Sequence, residues 1–352
     1  MRKLIHGGDI YDRGDIPENT RIVDFSANIN PLGMPLSVKK AIAENIDKFS
    51  SYPDPLCRAL INEISRHEDI SSGWIVCGNG AADIIYRLAI GLKPKNVLLT
   101  APTFSEYEHA VRCAGGSISY HYLLEKNNFS LDSSILHSIT PGVDMVFLCN
   151  PNNPTGIPVK KGLVLEIAAH CRENGTVLVV DECFMDFLQE EGEYSVVGSV
   201  GKFDNIIVLK AFTKIFAMAG IRLGYGICSN KQTVDRLYDA GQPWNVSVIA
   251  QICGIAALKE TSHILKTKEM IQSNREYLIR NLNKLGFKTF ESKANYVLFK
   301  TEDRNLSRKL LRFGILIRSC GNFTGLDNTY YRIAVKSHAD NEYLIKCLGE
   351  VV

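Results

Sequence analysis

The chain has 352 residues, 45% apolar and 22% charged, the make-up of an ordinary globular protein with a large core and room for about two domains. A net charge of +2 argues against the basic face of a nucleic-acid binder and against an acidic solvating tail. No apolar run reaches membrane length, and the start MRKLIHGGDIYDRG lacks the apolar centre of a secretory signal, so neither nucleic acid nor membrane is an expected partner and a cytoplasmic location is expected.

Up to residue 55 the chain carries Pro17, Pro31, Pro35, Pro53 and Pro55 and reads as mostly loop, with one helix near residues 37–48. From about residue 74, short β-rich runs alternate with helical patterns. WIVC leads into GAADIIYRLAIGL, where Ile84, Ile85, Leu88, Ala89 and Leu92 keep helical spacing. NVLLT is followed by FSEYEHAVRCAGG, which ends on glycines as a helix should. ISYHYLL, MVFLCN, TVLVVDE and NIIVLKAF continue the strands, and the unbroken run Val177 to Val180 suggests a strand covered on both faces. These units predict an α/β domain with a largely parallel sheet. After about residue 245 the pattern changes. A long helical region carries Ile271, Leu278, Leu282 and Leu285 on one stripe, with Gly286 at its end. The strands NYVLF, ILIRS and YYRIAV follow, with a helical segment between the first two and another at the end, as in a smaller α+β domain.

The ten cysteines are dispersed and no C-x-x-C occurs. Structural metal is therefore not expected, and buried free thiols in a reducing compartment are.

Four features fall at strand ends, where open parallel sheets bind ligands. CGNGAAD, residues 77–83, frees backbone N–H groups at a helix start and makes a phosphate seat, although Asp83 stands where a dinucleotide fingerprint has its third Gly. NPNNPTG, residues 150–156, holds its asparagines in set directions between prolines. Asp181 ends a buried strand and needs a cationic partner, whether a structural Arg or Lys or a cationic ring nitrogen. Lys214 is flanked by Phe212, Ile215, Phe216 and Met218, surroundings that lower a Lys pKa toward nucleophile range, and Arg222 follows eight residues on.

In this order and spacing the set resembles the fold-type I pyridoxal-phosphate enzymes, in their aminotransferase-like branch, over essentially the whole chain. The resemblance implies a large domain, residues 36–245, built on a mostly parallel seven-stranded sheet. Residues 246–352 would form the small domain, and residues 1–35 would contribute to that domain and to the active site. It implies pyridoxal 5'-phosphate as cofactor, with Lys214 holding it as a Schiff base and Asp181 keeping its ring nitrogen protonated. Asn153 would bond the phenolic oxygen and Phe104 stack on the ring. Gly80, Ala81, Thr213 and Arg222 would hold the phosphate. Tyr52, in SYPDP, would reach the phosphate of a neighbouring subunit, which implies a homodimer. Ala211, where relatives carry Ser or Thr, and Asp9, where Asn is expected, predict lower cofactor affinity.

The stretches HGGDIY, DFSANINPLGMP, GIRLGYG, QPWNVS, ANYVLF, ILIRSC and YYRIAV, and Phe184 in place of a Tyr, are more similar to the phosphothreonine-decarboxylating members of that family than to the histidinol-phosphate aminotransferases. This implies decarboxylation of L-threonine O-3-phosphate, whose product enters the nucleotide loop of cobalamin. Phosphoserine is a close variant, and transamination of histidinol phosphate or an aromatic amino acid is the alternative. Such a substrate carries two anionic groups. Arg318 and Arg332, in otherwise apolar strands, are the expected anchors, with Asn28, Asn153 and His6 contributing; a surface ion pair is the competing reading of the two arginines. Two further readings carry less support: a cofactor-binding sensor without catalysis, for which no DNA-binding module precedes the fold motifs, and an α/β protein without cofactor.

Overall fold

A computed structural model describes residues 7–11, 14 and 16–351. In chain order its strands are β1 (Val23–Asp24), β2 (Ile75–Gly78), β3 (Asn96–Ala101), β4 (Ser117–Tyr122), β5 (Met145–Cys149), β6 (Val177–Asp181), β7 (Ile206–Ala211) and β8 (Gly224–Ile227). Beyond them lie β9 (Lys288–Thr289), β10 (Tyr296–Lys300), β11 (Ile315–Leu316), β12 (Arg318–Ser319) and β13 (Tyr330–Ala334).

Seven of these form one sheet in the order β2-β8-β7-β6-β5-β3-β4. All pairs are parallel except those of β8, which runs against both neighbours. The apolar runs form strands here because both faces are covered. Leu178, Val180, Ile206 and Val208 enter one core, while Val179 and Ile207 point into the other. Parallel pairing also aligns the strand ends: Cys149 stands beside Asp181, and Asp181 beside Leu209. The chemistry-bearing turns after β5, β6 and β7 therefore share one edge of the sheet.

The smaller sheet, β12-β13-β10-β9, is antiparallel throughout. The N-terminal segment is built into the same region. Its β1 pairs in parallel with β11, and Ala334 N–H of β13 donates to the Phe25 carbonyl at 2.8 Å. The helical region after residue 245 is two helices, Val248–Ala257 and Thr261–Lys284, bent by 76°. Ile271, Leu278 and Leu282 are buried as the stripe requires, and Leu285 partly so. Gly286 then leaves the helix at φ +85°, and Phe287 N–H closes back onto the Leu282 carbonyl. Among the described residues no single helix is long and apolar enough to cross a membrane.

Two local expectations need correction, and one helix adds to the pattern. The helix near residues 37–48 is Leu36–Glu44, followed by a separate 3-10 turn at Ile46–Ser50. A helix at Arg58–Glu68 follows the proline-rich stretch, burying Leu60, Ile61 and Ile64. The prolines end at Pro55, so they precede this helix and do not interrupt it. ILIRS is two short strands, β11 and β12, because its first half pairs with β1 and its second with β13.

Candidate active site

The strand ends of the large sheet and the edge of the small one enclose a cavity of about 250 Å³. Lys214 lies on its wall, in a single helical turn, Phe212–Ile215, that begins where β7 stops. Burial lowers its amine pKa to about 8, with the nearby Arg332 guanidinium as the next cause and Arg222 adding to it. The amine stands 5.9 Å from the Phe184 ring centre. Behind it, Asn30 N–H donates to the Lys214 carbonyl at 3.1 Å, and Asn30 Nδ2 donates to the Ile215 carbonyl at 2.6 Å.

Asp181 also lines the cavity and is 6% exposed. Its Oδ2 accepts from the Tyr107 hydroxyl at 2.6 Å and its Oδ1 from Cys183 N–H at 3.0 Å. Tyr107 is fully buried and stacks on Phe147, and burial beside the carboxylate raises its phenol pKa well above the ordinary value. No Lys or Arg forms an ion pair with Asp181 among the described residues, so a cationic ring nitrogen is the partner that its place in the cavity fits.

The Asn turn divides its work. Asn150 bonds the backbone of Val159 and Tyr194, and Asn152 bonds Pro102, Thr103 and Thr155. Asn153 alone of the three lines the cavity, where its Oδ1 accepts from Arg332 Nη1 at 2.5 Å. Phe104 lines it too, edge-on to Tyr107 at 5.6 Å. Ala81, Cys183 and Ala211 form a small apolar cluster on the wall.

The phosphate seat is a close fit. Gly80 has φ +84°, and a Cβ there would stand 2.7 Å from Arg222 Nη2. A Cβ on Gly224 would stand 2.4 Å from Ala81 N. Ala81, Thr213 and Arg222 line the cavity around this corner, and Gly80 lies next to it. Asp83 is turned away and neutralised. Its Oδ2 accepts from Asn79 N–H at 3.1 Å and Asn245 Nδ2 at 2.7 Å, and it pairs with Arg87 Nη2 at 2.8 Å. Two cationic or N–H donors beside a hydroxyl, in a space only glycine leaves open, fit the phosphate of the implied cofactor.

Arg318 and Arg332 are register partners on β12 and β13, so their side chains emerge side by side into the cavity. Arg332 is 6% exposed; its Nη2 donates to the Ser26 carbonyl at 2.7 Å, while its Nε has no partner. No carboxylate pairs with Arg332 among the described residues, so the surface ion pair is not what β13 holds. Burial lowers the pKa of both guanidinium groups, and Arg332 lowers that of Arg318 further. Arg318 bonds the Ser319 carbonyl and Asn322, over the Phe323 ring. Asn28 is buried in the same wall with its Oδ1 unpartnered.

Two expected residues are elsewhere. Tyr52 is 81% exposed and rests on Trp244, outside the cavity of its own chain. His6 lies outside the described residues, but Gly7 lines the cavity and Gly8 N–H donates to Ser26 Oγ at 2.7 Å. Tyr107, Ser26 and Cys183 were not singled out by sequence. The i, i+3 spacing of Phe104 and Tyr107 was the only signal for the first; Ser26 acts through a backbone carbonyl, which no residue type announces.

The family described as aminotransferase class I and II matches residues 20–348. The chain belongs to that family. It is 37% identical over 354 residues to the threonine-phosphate decarboxylase of Salmonella typhimurium, covering 99% of this chain and 96% of the relative. The solved histidinol-phosphate aminotransferase of Clostridium acetobutylicum superposes with a TM-score of 0.88 at 35% identity, covering 94% of this chain and 99% of that one. The L-threonine-O-3-phosphate decarboxylase of Porphyromonas gingivalis gives 0.84 at 25%, with the same coverage. The chain is thus a fold-type I enzyme of the aminotransferase family, with its mixed, mostly parallel sheet.

Tyr107→Phe removes a hydrogen bond to a buried carboxylate. It should destabilise the protein by about 1.5–3 kcal/mol in chemical denaturation. A change within about 0.5 kcal/mol would mean that the bond does not hold Asp181.

Proposed function

We propose that the chain decarboxylates L-threonine O-3-phosphate to (R)-1-amino-2-propanol O-2-phosphate, in the cytoplasm and for cobalamin biosynthesis, with pyridoxal 5'-phosphate as cofactor. The observation that carries this reading is the pair of adjacent guanidinium groups, Arg318 and Arg332, opening on the same cavity as Lys214. The likeness to a threonine-phosphate decarboxylase along nearly the full length of both chains supports it.

When bound, the cofactor supplies a ring that accepts the electron pair left at the substrate Cα. The protein does the rest. Lys214 Nζ is the amine that would hold the cofactor, and its lowered pKa leaves a useful neutral fraction near neutrality. Asp181, fixed by Tyr107 and Cys183 N–H, would keep a proton on the ring nitrogen. Asn153 would donate to the phenolic oxygen through Nδ2, since its Oδ1 is engaged by Arg332. Gly80, Ala81, Thr213 and Arg222 would hold the cofactor phosphate. Arg318 and Arg332, with Asn28 and His6, would hold the carboxylate and phosphate of the substrate. Phosphate binding keeps the substrate oriented while carbon dioxide leaves, and Lys214 then returns a proton to Cα. Phosphoserine differs by one methyl, worth about 1–3 kcal/mol of discrimination.

Tyr52 supports a homodimer in which it serves the neighbouring cavity. It is 81% exposed and packs on the exposed Trp244 ring, an apolar pair open to a second copy of the chain. A second reading, histidinol-phosphate aminotransferase, draws on the Clostridium acetobutylicum structure and would use the same cofactor residues. Phe184 weighs against it, because a ring without a hydroxyl faces Lys214 where the family resemblance implies a Tyr in the aminotransferases.

The purified protein with pyridoxal phosphate and phosphothreonine should release carbon dioxide and aminopropanol phosphate. A keto acid without carbon dioxide would favour transamination. Lys214 gives a second expectation. Its charged form predominates below its pKa and is unreactive, so capture of pyridoxal phosphate should rise about tenfold per pH unit and level off above pH about 8. Arg332→Gln removes a cation that lowers this pKa, so the inflection should move upward in stopped-flow absorbance. An inflection unmoved by the substitution would mean that the two groups do not interact.

A further inference from the structure

A second cavity, of about 340 Å³, lies behind the strand that presents the phosphate seat. Cys57, Cys77, Arg87, Tyr238, Gln242 and Asn245 line it. The sequence places the two cysteines far apart, with nothing to pair them. In the fold the helix Arg58–Glu68 packs on β2, which brings both thiols into one core and onto the wall of the same cavity.

The two thiols are not equivalent. Cys57 is the N-cap residue of that helix, so its sulfur stands at the positive end of the helix dipole. The neighbouring Cys77 thiol lowers the Cys57 pKa, and Arg87 lowers it further, against burial and Asp54. Cys77 is raised well above its ordinary value, first by the Cys57 sulfur and then by burial. The arrangement sets the more acidic thiol, at a helix start, beside a second thiol able to resolve it.

We propose that Cys57 and Cys77 form an oxidation site, closing to a disulfide that loosens the cofactor phosphate seat. The consequence for the cofactor rests on the function proposed above; the disulfide itself does not. With a peroxide as oxidant, the Cys57 thiolate attacks one oxygen, the O–O bond breaks, and the departing hydroxide takes a proton to become water. Cys57 is then a sulfenic acid. Cys77 Sγ attacks Cys57 Sγ, the S–O bond breaks as the S–S bond forms, and the Cys77 proton leaves with the hydroxide as a second water. Two thiols lose two electrons and one peroxide becomes two waters.

The seat has little slack to absorb this. Cys77 directly precedes Gly78, and the turn from Gly78 to Ala81 is pinned between Arg222 and Gly224 by contacts that even a Cβ would break. Arg87, in the wall of the second cavity, is tied through Asp83 to Asn79 N–H in the middle of the turn. A disulfide of ~2.05 Å is shorter than any non-bonded contact between two sulfurs, so closure draws the end of β2 and the helix start together and shifts the turn that follows Cys77. On the other side, Cys57 lies five residues after Tyr52, so the same bond also constrains the segment proposed to serve the neighbouring subunit.

The test uses the full chain with graded hydrogen peroxide, alkylation of remaining thiols, and peptide mapping. Cys113, the exposed cysteine, reports that oxidant was sufficient. We expect a Cys57–Cys77 linked peptide pair lighter by two hydrogens, absent in C57S and in C77S and lost with dithiothreitol. Equilibrium dialysis should show pyridoxal phosphate bound roughly tenfold more weakly by the oxidised protein, a change of about 1.4 kcal/mol, and restored on reduction. The linked pair is read in the unsubstituted chain, so it does not depend on either variant folding. Oxidised Cys113 beside fully alkylated Cys57 and Cys77 would overturn the proposal. So would a linked pair with unchanged cofactor affinity. A reduced protein that binds no pyridoxal phosphate would count against the proposed function, and the peptide map would still decide the disulfide.

Discussion

A guanidinium group buried without a carboxylate is costly, by several kcal/mol of lost hydration, unless dipoles and an incoming anion replace the water. Among the described residues Arg332 is held in that condition by three separate parts of the chain. The Ser26 carbonyl comes from the N-terminal segment, Asn153 Oδ1 from the turn after β5, and the Tyr296 ring, 5.5 Å from the guanidinium carbon, from β10. The small sheet, the large sheet and the chain start therefore meet on one cation. Its remaining Nε is a donor still to be satisfied, and an anion would satisfy it.

The same cation sets the chemistry next to it. Arg332 is the largest charge effect on Lys214, after burial itself. An anion bound to Arg332 would reduce that effect, so substrate binding and the proton affinity of the amine are linked through one pair of side chains. Asp181 is held in place by two hydrogen bonds, and the Tyr107 phenol that supplies one of them is kept protonated by burial.

The parts of this that could be read in the sequence are those where a residue type carries the physics. The run Val177 to Val180 had to be a strand covered on both faces, and a carboxylate at its end had to have a partner. Lys214 among aromatic and aliphatic neighbours had to have a perturbed amine. The register of Arg318 against Arg332 gave those two arginines their common side, and their apolar strands had pointed there. The rest depends on backbone or on distance. β1, β9 and β11 are two-residue strands with no pattern of their own, and the reversed direction of β8 follows from the path of residues 212–223. Ser26 contributes a carbonyl, and Tyr107 looks like any buried aromatic on a helix. The helix Arg58–Glu68 was hidden by prolines that lie just before it, although Leu60, Ile61 and Ile64 had the spacing of a buried stripe.

The central claim is that Arg318 and Arg332 together read a doubly anionic substrate. Calorimetric titration of phosphothreonine into the protein and into its Arg332→Gln variant, each loaded with a cofactor analogue that lacks the aldehyde so that substrate binds without turnover, tests it most directly. Loss of one partner of a buried charge pair costs about 2–5 kcal/mol, so the variant should bind at least roughly thirtyfold more weakly. Threonine without its phosphate should bind weakly to both. Equal affinity of the two proteins for phosphothreonine would contradict the account.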